Sequence, residues 1–310
     1  MYKNLRVAVV VPAHNESELV GDVVKTIPAM VDSVIVVDDA STDGTYGAVA
    51  AVADERTTIV RLDRNRGVGG AIVEGHRRAM ESAADVSVVM AGDGQMDPAY
   101  LPALLDPIAD LGYEFAKANR FFAIGSFAGM PRLRILGNVV MSFLTKAASG
   151  YWHLFDPQNG YTAIHRSALE RLPLERLRER FEFENDLLIH LNIARVRATD
   201  VPIPARYGDE VSDLRVMRDA RRILGLLVVG FWRRIWWKYV VQSFSPVALM
   251  LFSGLALVAG GLSVGAFVVI HSIGPATASA ATVLMSVAPL LTGIHLLISA
   301  LLLDIQESPR

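Results

Sequence analysis

The chain has 310 residues, enough for one large domain or a domain with an appendage, and is 52% hydrophobic with a mean hydropathy of +0.35, above an ordinary soluble enzyme. Its net charge of −2 argues against a general nucleic-acid binder, and the absence of cysteine excludes disulfides and thiolate metal sites. No secretory signal is expected, because residues 1–6 lead into an apolar run, 7–11, that is too short for one.

In chain order, four Val/Ile-rich runs read as strands: 6–11, 33–37, 58–62 and 86–90. Helical stretches around 19–27, 45–53 and 71–82 separate them, which predicts an α/β domain with parallel strands covered on both faces. In such a sheet ligands sit beyond the carboxyl ends of the strands. Polar clusters fall there: PAHNE after the first strand, DDASTDGT after the second and GDGQMDP after the fourth. Taken singly, Asp38 and Asp39 suit helix capping and Glu16 suits a solvated loop. Together, three acidic strand ends point to one cleft. NRGVGGA, 65–71, follows the third strand and lacks the spacing of a dinucleotide fingerprint, so its glycines read as a tight helix entry beside a nucleotide. Walker A, HExxH and nucleophile-elbow patterns are absent.

The stretch VVMAGDGQMDP, 88–98, ends a buried strand on carboxylates, an amide and glycines. Turn chemistry accounts for Gly, Asp and Pro, and a divalent cation would want the same hard oxygens at a strand end. Further on, 130–155 carries a helical stripe of Leu133, Leu136, Val140, Phe143 and Leu144, which suits a membrane-surface helix or a core-facing one. The Arg residues of ERLPLERLRER, 170–180, read as a solvated helical face. RDARRILGLLVVGFWRRIWWKYVVQ, 218–242, mixes Arg with Trp232, Trp236 and Trp237, as a helix lying in a headgroup layer does.

From 239 to 303 there is no Asp, Glu, Lys or Arg, and 245–270 and 282–303 each exceed the ~20 apolar residues that cross a bilayer. With HSIGPATASA between them, they predict a transmembrane hairpin; two buried core helices are the alternative. Arg233, Arg234 and Lys238 before the first span, and Arg310 after the second, put both termini and the large N-terminal domain on the cytoplasmic side.

PAHNE, DDASTDGT, NRGVGGA and GDGQMDP, in that order, resemble the GT-A core of family 2 glycosyltransferases. FDPQNGYTAIHR, FEFENDLLIHL and VPIPARYGDEVSDL narrow the resemblance to the dolichol-phosphate mannose synthase and polyprenyl-phosphate glycosyltransferase branch. The resemblance implies a GT-A, Rossmann-like nucleotide-diphospho-sugar transferase domain over 1–212 (130–150 a candidate interface helix), an amphipathic interface region over 213–241, and two transmembrane helices within 245–303. It implies inverting transfer of a sugar from a UDP- or GDP-linked donor to polyprenyl or dolichyl phosphate at the cytoplasmic face of a lipid bilayer, with self-association left open. Alternatives are a processive polysaccharide synthase or a catalytically impaired GT-A membrane scaffold, although FWRRIWW lacks the Gln of the synthase Q-x-x-R-W element.

Position by position, the resemblance puts Pro12, His14, Glu16, Asp38, Asp39 and Gly67 at the nucleotide sugar, with His14 where a tyrosine is common. Asp93 and Gln95 match the later part of the motif for Mg²⁺ or Mn²⁺, whose first Asp is replaced here by Ala91; Asp97 is a candidate to compensate. Asn119 and Arg120 match a donor-phosphate segment, and Arg132 and Arg134 the lipid-phosphate segment. Asp156 matches an acidic position near the acceptor, for positioning or base work, and Arg206 and Ser212 match the segment that closes over the donor diphosphate. Glu184 and Asp186 sit in a helix whose apolar residues face a core.

Overall fold

A computed structural model describes residues 1–122, 132–204, 216–272 and 279–310. The chain forms two compact units, Met1–Phe231 with Pro309–Arg310, and Trp232–Ser308.

The first unit is built on a sheet. Strands β1 (Val7–Ala13), β2 (Ser33–Asp38), β3 (Thr57–Arg61) and β4 (Val86–Val89) are parallel, with β1 between β2 and β4. Val10 of β1 sits opposite Ile35 on one side and Val89 on the other. Helices α1 (Val20–Thr26), α2 (Thr45–Ala50) and α3 (Val68–Glu81) make the crossovers. Alternate β1 residues feed opposite faces: Val7, Val9 and Val11 pack with Val20, Val24 and the Leu101–Leu105 side of α4 (Leu101–Leu111), while Ala8 joins Ile35, Val37, Ala71 and Ala79. The α3 backbone comes so close to β1 that a Cβ at Gly75 would lie 2.1 Å from Val10 Cγ1.

The second half of the sheet departs from the parallel pattern. β5 (Phe115–Asn119), β6 (Thr162–His165) and β7 (Ala198–Pro202) extend the order to β3-β2-β1-β4-β6-β5-β7, with β6 antiparallel to both neighbours and β5 parallel to β7. The sheet is therefore mixed, and β5 presents its carboxyl end, Asn119, on the same side as the ends of β1 and β4.

Helices α5 (Arg132–Ser149), α6 (Arg166–Arg171), α7 (Phe183–Ile193) and α8 (Val216–Arg234) complete the unit. Ala148, Ile189, Ile223 and Leu227 join α5, α7 and α8 in one buried cluster, with Leu144 packed against it. Of the stripe expected on α5, Leu144 thus faces the core while Val140 and Phe143 are exposed beside Val139, at 47%, 57% and 56%, and the side chains of Leu133 and Leu136 lie outside the described part. The 170–180 stretch is not one solvated helical face: α6 ends at Arg171, Pro173 breaks the run, and Leu172, Leu174 and Leu177 are buried between the exposed charges.

In the second unit, the end of α8 runs into a π-helical turn, Ile235–Val241, and then into α9 (Pro246–Ser272) and α10 (Ala280–Gln306). Both helices, at 27 residues each, are long and apolar enough to cross a membrane. They pack antiparallel through small residues: a Cβ at Gly254 would stand 3.0 Å from the Gly293 carbonyl, and Ser286 Oγ donates to the Gly261 carbonyl at 2.9 Å. At one end of this hairpin Arg234, fully buried, places Nη1 and Nη2 at 2.5 and 3.0 Å from the two oxygens of Asp304, and Tyr239 donates its hydroxyl to the same carboxylate.

Candidate active site at the strand ends

Sequence patterns place the polar clusters at strand ends, and the fold gathers them. After β1, His14 and Asn15 turn toward the loop that follows β2. The His14 ring bridges Asp39 and Asn65: its Nε2 takes the Asn65 side-chain amide at 3.1 Å, which leaves the proton on Nδ1 to donate to the Asp39 carbonyl at 2.8 Å. The amide of Glu16 donates to Thr45 Oγ1 at 2.8 Å, fixing PAHNE against the start of α2. Pro12 is buried as the penultimate residue of β1.

The two carboxylates at the end of β2, Asp38 and the following Asp39, do different work. Asp39 accepts the backbone amides of Arg66 and Gly67, both at 2.7 Å, so its charge fixes the loop that opens α3. Gly67 has φ +85°, and a Cβ there would lie 2.7 Å from the Glu179 carbonyl, which explains the residue. Asp38 accepts the Ser41 amide on Oδ1 at 2.8 Å, whereas among the described residues its buried Oδ2 has Arg61 Nε at 3.5 Å and no hydrogen bond. A buried carboxylate oxygen left without a donor wants one from a ligand.

The stretch after β4 satisfies turn chemistry and more. Asp93 Oδ1 accepts the Gln95 amide at 2.9 Å across Gly94, whose φ is +73°, and Asp97 Oδ1 accepts the Ala99 amide to cap a short 3₁₀ turn, Pro98–Tyr100. Burial raises the Asp93 carboxyl above its usual range, against the opposing hydrogen bonds of nearby amides. A nearby dication would offset that penalty. Among the described residues no three His, Asp or Glu side chains converge as a closed metal cage. The donor set fits a hard cation of the Mg²⁺ or Mn²⁺ type that takes one or two protein oxygens and completes its shell from substrate phosphates.

These residues line a cavity of about 170 Å³ together with a second group from the other half of the sheet: Arg120, Gln158, Asn159 and Tyr161. Arg120 follows β5 and meets Asp156 in a two-point pair, Nε to Oδ2 at 2.7 Å and Nη2 to Oδ1 at 2.8 Å. Asn159 adds a donor to Asp156 at 3.2 Å, and Tyr161 donates to the Asp97 carbonyl at 3.1 Å, tying the two groups together. Burial opposes ionisation of Asp156, yet the Arg120 hydrogen bonds and charge, with Lys117, outweigh it and hold the carboxyl below its usual range. So held, the Asp156 carboxylate orders the Arg120 guanidinium at the edge of the cavity.

Glu184, in the first turn of α7, lines a smaller neighbouring cavity that also touches Asn159 and Gly160, and burial pushes its carboxyl up to about 7. Asp186 is turned inward, accepting the Arg178 amide at 3.0 Å. Arg132 and Arg134 open α5, but their side chains lie outside the described part, and Arg206 and Ser212 lie outside the described residues altogether. Sequence reasoning missed Asn159, Tyr161, Lys117 and Asp200. Lys117 left a signal, a charge inside an otherwise apolar strand, which requires a buried partner.

A model of the family described as "Glycosyl transferase family 2" matches residues 8–173, more than half the chain and all of the strand-end clusters. The chain is a family 2 glycosyltransferase. This glycosyltransferase is 29% identical over 215 residues to the UDP-N-acetylglucosamine–dolichyl-phosphate N-acetylglucosaminyltransferase of Methanococcus voltae, covering 64% of this chain and 85% of that one. It is also 29% identical over 208 residues to the undecaprenyl-phosphate mannosyltransferase of Micrococcus luteus, covering 64% and 83%. Its fold matches the crystal structure of glucosyl-3-phosphoglycerate synthase from Mycobacterium tuberculosis in complex with Mn²⁺, UDP-glucose and phosphoglyceric acid, with a TM-score of 0.56 and 20% identity over 74% of this chain and 80% of that one. The mixed sheet is thus a GT-A-type sheet, and the enzyme works with nucleotide sugars.

Proposed function

We propose that this glycosyltransferase moves a sugar, with inversion, from a UDP- or GDP-linked donor to polyprenyl or dolichyl phosphate at the cytoplasmic face of a membrane. The observation that carries the reading is the single cavity lined by both Asp93 of the β4 turn and the Arg120–Asn159 group around Asp156. One side suits a donor diphosphate and the other a second anion. The relatives that act on dolichyl and undecaprenyl phosphate, the two long apolar helices, and the exposed Val139, Val140 and Phe143 of α5 favour a lipid as the carrier of that anion.

In this scheme residues 1–212 are the catalytic domain, 213–241 an interfacial region and 245–303 the anchor. Asp38, through its under-bonded Oδ2, receives a donor from the nucleoside, while His14, Glu16, Asp39, Pro12 and Gly67 shape the cleft around it. Asp93 and Gln95 would hold Mg²⁺ or Mn²⁺, which when bound supplies positive charge to the leaving diphosphate. A lipid phosphate oxygen attacks the anomeric carbon as the bond from that carbon to the nucleotide diphosphate breaks, and the nucleotide diphosphate departs. The attacking phosphate monoester is largely dianionic above pH of about 6, so no proton need leave it and Asp156 need not act as a base. What the reaction needs is cationic groups to hold two anions together. Arg120 supplies one here, and Arg132, Arg134 and Arg206 are assigned the others, with Ser212 closing over the donor.

The test is transfer by the purified protein from a panel of UDP- and GDP-sugars to polyprenyl phosphate with Mg²⁺, Mn²⁺ or EDTA. A labelled lipid from one donor, lost with EDTA, is the expected result. Arg132→Ala with Arg134→Ala should then weaken use of the lipid phosphate far more than donor binding. Transfer only to a soluble acceptor would reject the lipid.

A further inference from the structure

Strand β5 carries a lysine in its middle. Phe115, Ala116, Lys117, Ala118 and Asn119 are all buried, and Lys117 exposes only 2% of its surface. Burying an ammonium is costly, and replacing a buried ion pair by apolar side chains is often neutral or stabilising, so the packing of the sheet alone does not call for this residue.

Its contacts converge on the turn that carries Asp156. Lys117 Nζ donates to the Phe155 carbonyl, to the Asp156 carbonyl at 3.0 Å and to the Ala118 carbonyl at 3.3 Å, and lies 3.1 Å from Asp200 Oδ1. Asp200, on β7, accepts the Phe155 amide and, at 3.1 Å, the Asn119 side-chain amide. Residue 155 is therefore gripped at its carbonyl by the cation and at its amide by the anion. The next residue, Asp156, has φ +49°, in the left-handed region that residues other than glycine enter uncommonly, aspartate and asparagine more readily than most. Held in that way, Asp156 reaches back to the Arg120 backbone amide and guanidinium and to Asn159, and the last two residues line the substrate cavity.

We propose that Lys117, with Asp200 as its counter-charge, is a positioning residue for glycosyl transfer: it fixes the 155–159 turn so that Asp156 aims Arg120 at the substrate phosphates. Lys117 does not line that cavity and acts through Asp156. This inference rests on the cavity being the transfer site proposed above.

The test compares three full-length chains in detergent: the parent, Lys117→Met, and Lys117→Met with Asp200→Asn. Methionine keeps the length and removes the charge, and the asparagine removes the carboxylate that the first change leaves uncompensated while keeping an acceptor for the Phe155 amide. A misplacement of about 1 Å costs on the order of 100-fold in rate, so both variants should lose about that factor in kcat while the KM for the nucleotide sugar stays within about threefold. The double variant should regain the parent's thermal midpoint without regaining its kcat. A double variant that recovers both would make Lys117 a partner for Asp200 and nothing more, and overturn the proposal. So would a single variant with the parent's kcat, a loss confined to donor KM, or failure of both variants to fold. If the parent itself makes no lipid product but releases sugar to water, the lipid reading falls alone, and the same kcat comparison is made on that release.

Discussion

Replacing Asp156 by asparagine separates charge from shape at the centre of the site. The native carboxylate accepts two short hydrogen bonds from the Arg120 guanidinium, at 2.7 and 2.8 Å, and one each at 3.2 Å from the Arg120 backbone amide and the Asn159 side chain. Asparagine fills the same volume but sets an N–H₂ against one of the guanidinium donors. A charge-assisted bond contributes about 1.5–3 kcal/mol, and because Arg120 keeps 35% of its side chain exposed while Asp156 is at 2%, the lower half of that range applies, about 2 kcal/mol for the substitution. For a unit of this size that corresponds to a fall of about 4–8 °C in thermal midpoint. The pH dependence has a fixed sign. The native pKa of Asp156 is depressed, so the pair's contribution is fully present above the unfolded carboxyl's pKa of about 4 and is lost as pH falls through the native value. The gap between parent and Asp156→Asn, read by tryptophan fluorescence during heating, should be constant from pH 8 to about 5 and shrink at lower pH. Transfer by the variant should fall by on the order of 100-fold because Arg120 loses its aim. A gap that is absent at pH 7, or one that widens on acidification, would refute this account of the pair.

Other outcomes follow from single contacts. Asp93→Ala should abolish transfer and leave nucleotide binding equally strong with Mn²⁺ or with EDTA, whereas the parent should bind more tightly with Mn²⁺; titration calorimetry distinguishes the two. Gly75→Ala should cost about 1–3 kcal/mol by pushing α3 off Val10, seen as a lower thermal midpoint with unchanged donor KM in whatever fraction stays folded. Asp304→Asn leaves the fully buried Arg234 without its anion and should destabilise by about 3–5 kcal/mol, read as loss of resistance to proteolysis between 232 and 308 in detergent.

The first half of the sheet was legible because its strands are near-continuous Val/Ile runs, and burial on both faces forces that composition whatever the ligand. The helix bounds were legible to within a few residues for the same reason: apolar period and glycine-marked starts. β5 was not, since FAKAN has a charge at its centre and alternation says nothing about a buried lysine paired 83 positions later with Asp200. The antiparallel β6, TAIH, is too short to carry a pattern, and its direction is set by pairing with β4 and β5. At the site, the carboxylates and Arg120 could be named from the order of the motifs, but which carboxylate meets which cation could not. Asp38 and Asp39 are adjacent in sequence, yet one fixes a loop and the other holds an oxygen open. Burial and approach decide those roles, and both are properties of the folded chain.

The Arg234–Asp304 pair joins residues on either side of the whole hairpin. During synthesis the guanidinium is made seventy residues before the carboxylate it needs, with α9 and most of α10 between them. The pair therefore latches the two ends of the hairpin to each other, so that a change at Asp304 is felt at Arg234, seventy residues away.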